Sequence, residues 1–187
     1  MSTITLRSTS LLAPLAVLGL LAATSCKSSD SEGPVANQIA FNDYESVVGW
    51  TSNTESITRE RAHSGAYSVK VGGPTEFGMG YGLELSKAVD HKPHKIHLEA
   101  WGFMTDPKST ARLGFQLFDP AQNKEVFGDG IDYATAVQTP GKWVKIGKDI
   151  TLPDNTSSSQ QMRIFLWRAG ASSPAYVDDV RISEIPQ

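Results

Sequence analysis

From Gln38 onward, short runs of strand-forming residues recur between clusters of Gly, Pro, Asp, Asn and Ser. This spacing predicts strands near Gln38–Asn42, Thr54–Glu60, Tyr67–Val71, Phe77–Leu85, His94–Thr105, Ala111–Asp119, Trp143–Ile150, Met162–Arg168 and Ala175–Ile185. The breaks include His63-Ser64-Gly65, Gly72-Gly73-Pro74, Asp119-Pro120 and Thr139-Pro140-Gly141, each a turn former for its own steric reason. No run shows a capped helical period; Asp129 to Val137 has room for one short turn. Many short strands without intervening helices predict an all-β sandwich of two antiparallel sheets, and the 187 residues suit one domain.

The last strand carries the first chemical signal. Strict alternation puts Tyr176, Asp178, Val180 and Ile182 on one face, and Val177, Asp179 and Arg181 on the other. A carboxylate within an apolar face is costly unless it is paired, hydrogen-bonded or bound to a metal. Asp178 therefore marks either a hard-cation site at a sheet edge or a hydrogen-bonded core carboxylate. Asp179 is expected to point outward.

The N-terminus sets the compartment. Met1 to Ser10 holds one cation, Arg7, and Leu11 to Ala23 is an apolar run too short to span a bilayer comfortably. The small residues that follow lead to the only cysteine, Cys26. The segment resembles a bacterial lipoprotein signal over residues 1–25, with Cys26 as the acylated first residue of the mature chain. Residues 26–37 are small and polar, a flexible tether to a domain over 38–187. Asp30 and Glu32 resemble the surface-export cue of some Bacteroidetes lipoproteins. The expected location is the cell envelope, lipid-anchored at the outer membrane, facing the periplasm or the surface. A single cysteine allows no intramolecular disulfide. A net charge of −3 without a basic block offers no footprint for nucleic acid. The chain is expected to be monomeric.

Several segments, in order, resemble the jelly-roll carbohydrate-binding modules of the CenC type (families four, nine and twenty-two) within the galactose-binding-like superfamily. They are Asn42-Asp43-Tyr44-Glu45 with Gly49-Trp50, then Ala62 to Val71, Ile96-His97-Leu98-Glu99-Ala100-Trp101, Trp143-Val144-Lys145-Ile146 and Tyr176-Val177-Asp178-Asp179-Val180. The resemblance implies a jelly-roll sandwich and a structural calcium ion (Ca2+). By position Glu45 and Asp178 match its carboxylate ligands, with Asp43 or carbonyls around His63 to Gly65 completing the set. It also implies that Trp50 and Trp143 support the fold.

Strand phase then sorts the remaining aromatics. With Ile96, Leu98 and Ala100 inward, His97, Glu99 and Trp101 face outward; with Met162, Ile164 and Leu166 inward, Arg163, Phe165 and Trp167 do. The same logic exposes Arg112, Gly114, Gln116 and Phe118. Trp101 and Trp167 with Glu99, Gln116 and Arg163 would furnish a polysaccharide groove, the alternative being rings covered by loops. Gly78, Gly80 and Gly82 form a bare stripe, either groove floor or room for an indole. His91, His94 and His97 recur every third residue, but Pro93 and strand alternation separate them as metal ligands. No catalytic motif appears. The chain thus reads as a lipid-anchored protein that binds glycan non-catalytically. The alternatives are an adhesion or scaffolding lipoprotein that contacts a protein, and a small polysaccharide-active enzyme, which needs a converging carboxylate pair.

Overall fold

In a computed structural model, the structure describes Met1, residues 33–51 and residues 54–186. The signal segment, Cys26, Asp30 and Glu32 lie outside these residues. The chain forms β1 (Gln38–Asn42), β2 (Ile57–Thr58), β3 (Ser68–Val71), β4 (Tyr81–Glu84), α1 (Leu85–Ala88), β5 (Lys95–Met104), β6 (Arg112–Asp119), β7 (Lys124–Asp132), α2 (Tyr133–Ala136), β8 (Trp143–Thr151), β9 (Gln161–Trp167) and β10 (Ala175–Glu184).

Two antiparallel sheets result. One runs β2-β3-β10-β5-β8, with β1 also paired to β10; the other runs β4-β9-β6-β7. Apart from the β2-β3 and β6-β7 pairs, neighbours in each sheet are distant in sequence, as expected of the jelly-roll sandwich. The apolar faces predicted from alternation meet between the sheets: Ile96, Leu98 and Ala100 of β5 oppose Leu113, Phe115 and Leu117 of β6 and Met162, Ile164 and Leu166 of β9, all buried. Tyr133 of α2 is wholly buried, and its hydroxyl donates to the Tyr176 carbonyl at 3.0 Å, which satisfies the one polar atom it brings inside. Along one side of the sandwich, edge strands β7 and β8 are tied by Lys148 Nζ donating to Asp129 Oδ1 at 2.6 Å. At one end of the domain, the Glu184 N–H donates to the Asn37 carbonyl at 2.9 Å, so the entering and leaving chains lie side by side.

Three expectations change. β7 was not predicted, because Gly128 and Gly130 dilute its strand signal and the Gln122-Asn123 turn precedes it closely. The segments Thr54–Glu60 and Phe77–Leu85 shorten to β2 and β4. The third change lies in β10. Its register with β5 slips between Asp178 and Arg181, and Asp179 takes a left-handed φ of 49°. This is a β-bulge, which inserts one residue and inverts the alternation beyond it. Ala175 and Val177 face the core before the bulge, and Val180 and Ile182 after it. Tyr176 and Asp178 thus lie on the outer side, opposite the predicted face, and Tyr176 packs edge-on against Phe103.

Candidate functional site

The outer face of the β4-β9-β6-β7 sheet holds an open cleft of about 290 Å³. Register puts Trp167 beside Arg112, Phe165 beside Gly114, and Arg163 beside Gln116, with Gly128 of β7 beyond Gln116. Two of these positions have no side chain, and the Phe165 ring and the Glu125 carboxylate lie against them. A Cβ at Gly114 would stand 2.9 Å from the Phe165 ring, and one at Gly128 would meet Glu125 Oε1 at 2.5 Å. Glycine at these positions is a packing requirement.

One end of the cleft is aromatic. Trp167 lies parallel to Phe77 (ring centroids 6.2 Å apart, 11° between planes), and Phe165 meets Phe77 edge-on at 5.8 Å. Trp167 is 37% exposed and Phe77 58%, the largest apolar surfaces on this face. The indole is fixed: its Nε1 donates to Glu76 Oε1 at 2.8 Å, while Arg168 Nε donates to Glu76 Oε2 at 2.7 Å. These bonds, first from Trp167 and then from Arg168, hold the Glu76 carboxyl below the usual carboxylate range.

The opposite wall is polar. Gln116 Nε2 donates to Glu125 Oε2, and Arg112 Nη1 donates to both oxygens of Asp132 at 2.9 and 3.0 Å. Arg163 lies 3.6 Å over the Phe118 ring and donates to Gln161 Oε1. Burial alone would raise Asp129, but the Lys148 bond, the Gly130 N–H and the charges of Lys148 and Arg112 outweigh it and hold the carboxyl low. Exposed ring faces next to amides, carboxylates and guanidinium groups suit a ligand with apolar faces and many hydroxyls.

The five residues predicted to line one groove do not share a face. Trp167, Gln116 and Arg163 lie on this sheet; Trp101 and Glu99 lie on the outer side of the other, across the core. Trp101 is stacked under His63, with centroids 3.8 Å apart and 12° between planes. The segment around residues 59–67 covers this region: Arg61 sits 4.7 Å over Phe103, and Phe103 packs on Trp143 and Tyr176. Glu99 is surrounded by Lys145 at 3.4 Å and by Arg181 and His97 at 3.7 Å. Trp50 is also corrected: at 91% exposed it does not support the core. Nor do the three glycines form one stripe. A Cβ at Gly78 would strike Val69 in the core, one at Gly80 would strike the Ile164 carbonyl, and only Gly82 is open. Sequence phase found Phe165 and Gly114 as outward, but Glu125 and Gly128 escaped with β7. Phe77 was hidden in its glycine-rich context.

Glu45 and Asp178 converge on residues 63–67, as the resemblance implies. Glu45 Oε1 accepts from the Ala66 and Tyr67 N–H groups at 2.8 and 2.7 Å, and Gly65 at φ 54° lets the carboxylate lie against the chain. Asp178 accepts from the N–H groups of His63 (2.7 Å), Ser64 (3.2 Å) and Asp179 (2.8 Å). Asp179, expected to point outward, turns onto His63 Nδ1 at 2.6 Å and Ser64 Oγ at 2.7 Å and is buried beneath them. Asp43 Oδ1 accepts from the Glu45 N–H two residues on, at 3.1 Å. Burial, then the adjacent Asp179 charge, pushes Asp178 up to about 7 against the pull of those N–H groups. Asp178 and Glu45 thus stand as carboxylates hydrogen-bonded to main-chain N–H groups; a hard cation there would draw on the same two carboxylates with main-chain carbonyls. Among the described residues no group of three His, Cys, Asp or Glu side chains is placed to hold one. His91 binds Asp90 and Glu184, and His97 binds Asp149, so the two rings are engaged with different carboxylates.

The CBM22-1 xylan-binding domain from Paenibacillus barcinonensis Xyn10C superposes with a TM-score of 0.52 at 17% identity, over 83% of this chain and 99% of that one. The C-terminal family 22 carbohydrate binding module of Clostridium thermocellum Xyn10B gives 0.50 at 16% identity, over 81% and 97%. At such identities the likeness is one of fold. No curated protein matches the chain. Residues 36–174, most of the domain just described, match the carbohydrate binding domain family, and the chain belongs to that family.

Proposed function

We propose that this protein binds polysaccharide without cleaving it, through the cleft on the β4-β9-β6-β7 sheet, while a lipid on Cys26 holds it at the cell envelope. The observation that carries the reading is the exposed Trp167–Phe77 pair, its indole fixed by Glu76, at one end of a cleft whose other wall is polar. A pyranose presents C–H faces to rings and hydroxyls to amides and carboxylates, and the cleft offers both. Xylan is the first ligand to test, because the solved modules of this fold named above are xylan-binding domains or family 22 modules. A glycan array with the soluble domain tests the reading. Binding that falls by about 1–2 kcal/mol in Trp167→Ala, with the melting temperature unchanged, is the expected result. Normal binding by that variant overturns the site.

The lipid anchor is tested by metabolic labelling with a clickable fatty acid. The wild type should be marked and Cys26→Ser should not, because Cys26 is the only cysteine that can carry the lipid. Calcium at Glu45 and Asp178 would neutralise the carboxylates that hold residues 63–67. Millimolar calcium should then raise the melting temperature above that in chelator, and Asp178→Ala should abolish the difference.

A further inference from the structure

Glu125 also lines a second, larger cavity of about 480 Å³, together with Gln122, Lys124, Asn155, Ser157 and Ser159. None of the residues lining it is aromatic. Glu125 projects over Gly128 and accepts from Gln116, so its exposed side chain stands between the two spaces.

The second cavity is preformed. Asp119 Oδ1 accepts from the N–H groups of Ala121 and Gln122 and shapes the β6–β7 turn. Across from it, buried Thr156 donates to the Pro153 carbonyl at 2.7 Å, and Gln160 Oε1 accepts from the Ser157 N–H. The Leu85 and Ser86 N–H groups dock on the carbonyls of Gln160 and Ser158. With its backbone held this way, the loop presents Asn155, Ser157 and Ser159 outward.

We infer that the two cavities are compartments of one trough, partitioned by Glu125, and that the polar compartment takes the hydroxyl groups of further sugar units of the same chain. This rests on the glycan reading of the cleft and deepens it: the ligand class is an extended oligosaccharide, stacked at its aromatic end and hydrogen-bonded at the other. The Arg112–Phe118 run of β6 alone extends about 20 Å at strand rise, longer than one sugar ring needs.

The test is calorimetry on ladders of xylo- and cello-oligosaccharides from disaccharide to hexasaccharide. Asn155→Ala and Lys124→Ala are compared with Trp167→Ala, with melting curves to check folding. Affinity for the hexasaccharide should fall about three- to tenfold in the first two variants, the worth of one or two hydrogen bonds, while the disaccharide is unaffected. Trp167→Ala should weaken every length. The Asn155 side-chain amide signal should shift with hexasaccharide and stay still with disaccharide, a readout independent of any variant. Losses equal at every length, or none, overturn the second compartment while the cleft stands. A wild type that binds neither ladder nor any arrayed glycan overturns both.

Discussion

Two tryptophans with the same strand phase have opposite fates. Both Trp101 and Trp167 face away from the core, yet one lies under His63 and the other is exposed beside Phe77. Trp101→Ala should therefore destabilise the domain by about 2–4 kcal/mol, a truncation within a packed cluster, and leave glycan affinity alone. Trp50→Ala should leave the melting temperature unchanged, since 91% of that residue is already in water. Chemical denaturation of the two variants beside the wild type checks both. Gly65→Ala is expected to be severe for two reasons: φ of 54° disfavours any Cβ by about 1–2 kcal/mol, and that Cβ would stand 2.4 Å from the Glu45 carboxyl carbon. Had Trp101 been free and Gly65 tolerant, residues 59–67 would not be a packed cover.

At the scale of elements, alternation read the inward faces of β5, β6 and β9 correctly, because an unbroken strand has only one phase. It failed at β10, where an extra residue at Asp179 reverses the phase within the strand. Nothing in Tyr176-Val177-Asp178-Asp179-Val180 announces the bulge locally; it is set by pairing with β5 and by the His63-Ser64 bonds from far in sequence. β7 was missed for a related reason. Gly128 and Gly130 weaken a strand but are needed under Glu125 and against Leu113. That side of the cleft was thus illegible where close packing demanded poor strand formers. The segment before β5 gives a pH prediction. His91 is held above its ordinary range, first by Asp90 and then by Glu184 at the end of β10. Its paired form is the protonated one, so its stabilising contribution is fully present below the unfolded value near 6.5 and is lost as pH rises through the folded one. His91→Gln should lower the melting temperature at about pH 5.5 and match the wild type by about pH 8.5.

Across the whole molecule, the two outer faces have diverged in use. One is capped by residues 59–67 and a charge network around Glu99; the other holds an open cleft walled by Trp167, Phe165 and Glu125. The core between them isolates their effects, so substitutions on one face should add to those on the other without coupling. Leu166→Ala, in the shared core, should cost about 2–5 kcal/mol whether or not glycan is bound. The hydrogen bond from Glu184 to Asn37 has a further consequence. Because chain entry and exit meet at one point of the β1–β10 pair, the domain behaves topologically as a closed loop. It could be spliced as a unit into a surface turn of a host protein, or its ends joined and reopened at the Pro140–Gly141 turn. Such a rewired chain should fold and present the same open sheet. Modules of this shape can thus be moved between chains without disturbing what they hold.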